Sequence, residues 1–182
     1  NSYVLGICTK ILLYMLLASS VNVINGYSGQ FAIGHAGFLC VGAYTAAILM
    51  ARANVPFFLA MLGAGVMTAL FGMLVSFPIG KLSGIYLGFV TLGFSEIVRI
   101  ICLNWTSATG GPMGIKAIPG PKIFGFSLQS SRGYYYIIFT VLVIMVFCTS
   151  RILKSRTGRA WISIRENGAA AASIGINTAQ YK

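Results

Sequence analysis

Carboxylates and imidazoles, the usual tools of acid, base and metal chemistry, number three in this sequence: Glu96, Glu166 and His35. They are scattered along the chain. Neither a paired carboxylate nor a histidine with an orienting partner can be read from their spacing, and one histidine makes no metal site. Enzymatic chemistry is therefore disfavoured, with no catalytic residue and no metal ligand expected. No nucleotide-binding loop is present either, which suggests that the energy input comes from another protein. The spacing does allow charge pairing. Glu96 and Arg99 stand three residues apart on one helical face and can neutralise each other. Two readings follow: a structural pair with Glu96 as the more buried member, or a place in a substrate path or gate. His35 lies in Gly34-His35-Ala36-Gly37, five residues after Gln30. It either makes a helix-packing hydrogen bond or contacts a permeating solute.

The elements that must position these residues are membrane helices. Hydrophobic residues make up 57% of the chain and charged residues 8%, against roughly a quarter charged in an ordinary soluble domain. Apolar runs at 11–24, 31–51, 57–80, 85–103 and 134–150 approach the roughly 20 residues needed to cross a hydrocarbon core. The first is short and the other four are full spans. The expected fold is all-α, a polytopic transmembrane helix bundle of about five segments, with a glycine-interrupted region near the start and a cytoplasmic helix at the end. Residues 1–150 form the transmembrane region, with a loop at 104–133, and 151–182 form the cytoplasmic part.

The net charge of +11 arises from 13 Lys and Arg against 2 Asp and Glu. In a membrane chain it reports topology and lipid headgroups rather than nucleic acid. Arg151, Lys154, Arg156, Arg159, Arg165 and Lys182 cluster in the tail, which the positive-inside rule places in the cytoplasm. Counting back, 104–133 is external, the turn 81–84 internal and 52–56 external. Cys8, Cys40, Cys102 and Cys148 lie in or beside apolar runs without close spacing, and read as small packing residues.

Asn25-Gly26-Tyr27-Ser28-Gly29-Gln30 interrupts two apolar runs with polar and turn-forming residues. It is either an unwound stretch on a transport path or a turn between helices. Small residues recur at Gly65, Ala69, Gly72, Ser76 and Gly80, and at Gly84, Gly88, Thr91 and Ser95, predicting close helix packing along both stripes. Glycines and prolines at 110–121 forbid a continuous helix in the external loop, and Trp105 with Tyr134-Tyr135-Tyr136 fits interfacial anchors. In the tail, Ala160 to Ile174 reads as one helix ended by Gly175, with Trp161, Ile164 and Ile174 on its apolar side. Such a helix suits a partner's groove.

Four stretches together resemble a known family. They are Gly26-Tyr27-Ser28-Gly29-Gln30 with Gly34-His35-Ala36-Gly37-Phe38 and Gly42-Ala43-Tyr44-Thr45-Ala46; Val90-Thr91-Leu92 with Glu96-Ile97-Val98-Arg99; Thr109-Gly110-Gly111-Pro112 with Gly114 and Ile118-Pro119; and Arg159-Ala160 with Ile164-Arg165-Glu166, Ala170-Ala171, Gly175-Ile176-Asn177 and Tyr181-Lys182. In this order they are similar to permease subunits of bacterial ATP-binding-cassette importers for branched-chain amino acids, of the LivM type. The resemblance implies a bacterial inner-membrane permease that pairs with a second permease. It would receive its solute from a periplasmic binding protein and be driven by two cytoplasmic ATPase subunits. ATP and Mg would be bound by those ATPases, and no cofactor by this chain. It assigns coupling to Arg165, Glu166, Ala169, Ala170, Ala171 and Gly175. The path candidates become Gln30, His35, Tyr44, Thr45, Thr91, Glu96 and Arg99, and the external loop is marked by Gly110, Gly111, Pro112 and Gly114. Gly168 and Ala172 stand where the family usually carries acidic residues, and Gly168 inside a helix would cost roughly 1 kcal/mol relative to alanine. The family also implies further membrane helices beyond both ends of this sequence. Alternatives are a urea or short-amide permease of similar build or, from another class, a stand-alone secondary transporter or channel.

Overall fold

A computed structural model describes residues 2–79, 82, 84–120, 122–123, 126–127 and 130–178. Its membrane-length helices are α1 (Ser2–Val21), α3 (Phe57–Ile79), α4 (Ile85–Asn104) and α6 (Ser131–Lys154), with the shorter α2 (His35–Ala51) between the first two. The remaining helices are α5 (Thr106–Thr109), α7 (Arg156–Glu166) and α8 (Gly168–Ser173). Two-residue strands β1 (Lys122–Ile123) and β2 (Phe126–Ser127) pair antiparallel, a small hairpin in an otherwise helical protein. Four helices are long and apolar enough to cross a membrane.

The short segment is not the one expected. α1 continues through a π-helical turn, Asn22–Tyr27, to give an apolar helix of 25 residues from Tyr3 to Tyr27 rather than a short run at 11–24. Polar residues along it do not break it because they bond within it. The Thr9 hydroxyl donates to the Leu5 carbonyl at 2.7 Å and the Ser19 hydroxyl to the Met15 carbonyl at 2.8 Å. α2 is the short one, since Phe31, Ala32 and Ile33 are apolar yet not helical.

By its contacts the chain forms two compact units, residues 1–32 with 130–182, and residues 33–129. In the first, α1 packs on α6, and α7 packs on both α6 and the π-helical turn. In the second, α2 packs on α3 and on α4. The approaches of Gly34 to Thr91, Gly37 to Ser95 and Cys40 to Cys102 advance together along both helices. Hence α2 and α4 run parallel. Thr91 lies six residues into α4, about 9 Å along it at helical rise. If α4 crosses the bilayer, α2 begins inside the hydrocarbon layer.

The packing stripe on α3 is displaced from the expected one. Ala60 and Ala64 are buried, whereas Gly65, Ala69 and Ser76 are exposed and Gly72 is half-buried. A helix that is apolar all round carries no directional pattern, so several small-residue rows compete in the sequence. On α4 the expected stripe does face inward, with Gly88 and Thr91 buried and Ser95 half-buried. Gly80 and Lys81 lie outside the described residues, as do Tyr181 and Lys182.

The tail is two helices where one was expected over 160–174. Asn167 is extended, at φ −158° and ψ 102°, and its side-chain oxygen accepts from Ala169 N and Ala170 N, both at 3.1 Å. It therefore caps α8. Gly168 is the first residue of α8 rather than an interior one, so the helix-interior cost expected of it does not apply. Gly175, at φ +86°, follows α8 in the left-handed conformation, the role its position in the sequence indicated.

A Cβ on Gly37 would stand 2.9 Å from the Ser95 Cα, whereas one on Gly65 would meet nothing within 4 Å. Gly37→Val is therefore expected to lower stability by about 1–3 kcal/mol, and Gly65→Val to change it by less than about 0.5 kcal/mol. Unfolding in mixed micelles measures both, and equal values would contradict the α2 and α4 packing.

Candidate functional site

The segment between α1 and α2 is where the sequence breaks a helix without a charged turn, and side chains satisfy its backbone. Within the first unit, Ser28 N donates to the Val23 carbonyl and Gln30 N to the Ile24 carbonyl, both at 3.2 Å. Ala32 N donates to the Asn25 side-chain oxygen at 3.1 Å. The Asn22 side chain crowds Gly26 so closely that a Cβ there would collide with it.

Arg165, far away in sequence, reaches this segment from the end of α7. Its Nη1 donates to the Gly26 carbonyl at 2.8 Å. Gly29, at φ +67°, lies against its side chain, so that a Cβ on Gly29 would stand 3.0 Å from the Arg165 Cβ. The same guanidinium holds Glu166 Oε1 through Nε at 3.2 Å and Nη2 at 2.6 Å. A planar fork with five donors can serve a carbonyl and a carboxylate at once, which an ammonium cannot do with the same geometry. Beyond it, Ala171 is 2% exposed and packs inward, whereas Ala169, Ala170 and Ile174 face outward on a smooth surface beside Glu166.

In the second unit, hydroxyls of α4 receive the start of α2. Thr91 Oγ1 accepts from Ile33 N at 3.1 Å and donates to the Gly88 carbonyl at 3.0 Å. Ser95 Oγ accepts from Gly37 N at 3.2 Å and donates to the Gly34 carbonyl at 2.9 Å. Thr91, a path candidate, is thus buried and engaged as a clamp. His35 is half-buried at the same place, and its Nε2 is enclosed without a hydrogen-bond partner among the described residues. Thr45 donates to the Val41 carbonyl of its own helix at 2.7 Å, and Tyr44 is half-buried. Gln30 is half-buried and belongs to the first unit.

Glu96 and Arg99 form the expected pair, with Nε to Oε2 at 2.9 Å. Glu96 is only marginally the more covered, since the side chains are 50% and 60% exposed on the outside of α4. Cys40 and Cys102 come together as free thiols with their sulfurs 3.4 Å apart, a neighbourhood their sequence spacing did not reveal.

The stretch 105–114 after α4 folds compactly. Thr109 is buried, its hydroxyl facing the Cys102 and Trp105 carbonyls and accepting from Gly111 N at 3.2 Å. Gly110, Gly111 and Gly114 all adopt positive φ, with Pro112 inside a short 3-10 turn. Arg52 donates to the Ser107 carbonyl. Glycine at these positions is required by conformation.

Sequence reasoning missed three residues of these sites. Asn25 falls in the polar break and Ser95 in a small-residue stripe without a role of its own, and Asn167 carries no expectation. Asn before an alanine run is a helix-start signal, so Asn167 was findable. The bond from Arg165 to Gly26 had no sequence signal, because it joins distant segments.

Residues 3–182 match the family described as branched-chain amino acid transport system, permease component. The chain belongs to that family. It is 37% identical over 199 aligned residues to the high-affinity branched-chain amino acid transport system permease protein LivM of Escherichia coli, covering 97% of this chain and 47% of the relative. The corresponding protein of Salmonella typhimurium gives the same values. A probable branched-chain amino acid transport permease protein LivM of Methanocaldococcus jannaschii is 25% identical over 191 residues, covering 85% of this chain and 54% of that one. The chain thus spans about half the length of these relatives. No solved structure matches it. With its apolar helices, this permease-family chain is a multi-pass membrane protein.

Arg165→Ala removes the donor to Gly26, at a net cost of about 1 kcal/mol for such a bond. Amide exchange at 26–30 is expected to quicken roughly fivefold, with helix content unchanged. Unaltered exchange there would show that Arg165 does not hold the segment. Glu96→Gln strands Arg99 on a membrane helix and is expected to lower the melting temperature in detergent while sparing solute affinity. Lost solute selectivity at unchanged stability would instead place Glu96 in the path.

Proposed function

We propose that this chain is part of a permease subunit of an ATP-binding-cassette importer that carries branched-chain or related amino acids across the bacterial inner membrane. The observation that carries the proposal is the Arg165 bridge, which ties the surface helices α7 and α8 to the end of α1. The partners are a second permease, two cytoplasmic ATPases that bind ATP and Mg, and a periplasmic substrate-binding protein. The chain itself performs no chemistry on the solute and binds no cofactor.

The mechanism follows from how force could travel. Glu166, Ala169, Ala170 and Ile174 present a surface that a groove on an ATPase can grip. Closure of the ATPases displaces α8, Asn167 transfers the displacement to α7, and Arg165 delivers it to Gly26 and Gly29. There the π-helical turn ends and the backbone passes into a non-helical stretch, so a second arrangement is within reach. The alternation between inward-open and outward-open states is biased by the nucleotide in the partner. Family membership and identity to LivM relatives support amino acids over urea as cargo.

Ala170→Glu places a charge on the exposed face of α8 without touching the buried Ala171. ATPase recovery with the intact permease is expected to fall at least roughly tenfold, the effect of about 1.4 kcal/mol, while membrane insertion is unchanged. Normal recovery of an ATPase, or uptake of amino acid by the permease without one, would refute the coupling role. Uptake of labelled urea but not leucine would reassign the cargo.

A further inference from the structure

Charge balance leaves most basic residues of this chain, Arg156 and Arg159 among them, without a carboxylate of their own. The sequence holds 13 Lys and Arg and only two carboxylates. Glu96 is bound by Arg99, and Glu166 by Arg165. Arg156 and Arg159, on the first turn of α7, line a cavity of about 370 Å³ together with Ser163 and the segment Gly175 to Asn177 that follows α8. Arg159 is held in place by donation from Nη1 to the Lys154 carbonyl at 3.0 Å, and its guanidinium carries further donors. Ser163 donates to the Arg159 carbonyl at 3.0 Å, and its oxygen can still accept.

We infer that this cavity binds the phosphate of an anionic phospholipid headgroup. Two guanidinium groups on one helical face give the forked donors that phosphate oxygens accept. The volume admits the group with its water, since a water occupies roughly 30 Å³ of liquid. Position favours a lipid over a soluble anion. Arg156 stands two residues beyond Lys154, the last residue of membrane-length α6, and therefore at the depth of the headgroups. Arg151, one turn earlier, lies over the Phe147 ring at 5.3 Å, another cation at the same boundary. Ile176 contributes an apolar wall beside the arginines, as the border between headgroup and acyl chain requires. Basic residues next to a membrane helix attract such lipids in general, and here the cavity gives that attraction a defined seat. The inference needs only a membrane protein and is independent of the import reading.

The test uses the intact permease in detergent, titrated with dioctanoyl-phosphatidylglycerol and followed by its melting temperature. Saturable stabilisation is expected, with dioctanoylglycerol, which lacks phosphate, giving none. The double variant R156Q/R159Q is expected to bind the lipid roughly tenfold or more weakly, and R156K/R159K to recover part of the loss. Should the glutamine double variant fail to fold, R159Q alone against the lysine pair carries the comparison. Equal binding by wild type and glutamine variants overturns the proposal. So does inorganic phosphate competing as well as the lipid at equal concentration, which assigns the cavity to a free anion. Loss of a partner subunit from the double variant, with lipid binding intact, also overturns it and assigns the cavity to a protein carboxylate.

Discussion

A backbone that leaves its helix within a membrane has to find hydrogen bonds without water, and the rest of this structure depends on how that is done. Between Tyr27 and His35 the chain is not helical, yet it gives up few helical bonds without replacement. Asn25 receives Ala32 N, Thr91 receives Ile33 N, Ser95 holds both Gly34 and Gly37, and Arg165 takes the Gly26 carbonyl. Each partner is a short or planar polar group on an element that is itself helical. The glycines follow from this arrangement. Gly34 and Gly37 let the α2 backbone come close enough to α4 for hydroxyls to reach it, and Gly29 lets the Arg165 side chain lie flat.

Hydropathy made the membrane class, the number of segments and the α3 and α4 spans legible, because those depend on composition over a long window. It misjudged α1 and α2 for one physical reason. Apolarity says whether a residue tolerates lipid, not whether its backbone is helical. Thr9 looks like an interruption but bonds to its own helix, and Phe31 to Ile33 look like helix but are not helical. The stripe on α3 failed similarly, since burial there is set by which face meets α2, and uniform apolarity carries no such information. The tail was read correctly to its end at Gly175 and wrongly at Asn167, where alanine propensity masked a local cap. Of the candidate site, the Glu96 and Arg99 pair could be read because it is local. The Arg165 contact could not.

Electrostatics sets a second constraint. With two carboxylates and thirteen fixed cations, nearly every basic side chain has to look outside the chain for its counter-charge. The two acids are each taken by an adjacent arginine on their own element, which removes them from any longer-range role. In a bilayer this is a stable assignment, because an anionic headgroup can serve an exposed arginine at the membrane end without ordering more of the protein. Arg165 is the exception, being spent on a carbonyl as well as on Glu166.

That exception gives the tail its mechanical character. α7 and α8 are joined through one extended residue, Asn167, so they can tilt relative to each other by changing few torsions. Asn167 caps α8 through two bonds, and such a cap is worth about 1 kcal/mol. A displacement of α8 can therefore be absorbed at Asn167 or passed on to α7, and the stiffer connection decides which. Arg165 lies two residues before the joint and is held to Gly26 and to Glu166 together, so α7 is the more firmly tied side. A push strong enough to move α7 has to act on the Gly26 carbonyl as well. α6 and the end of α1 are the two membrane elements on which α7 bears, and the second of them is π-helical there, with a wider turn than an ordinary one.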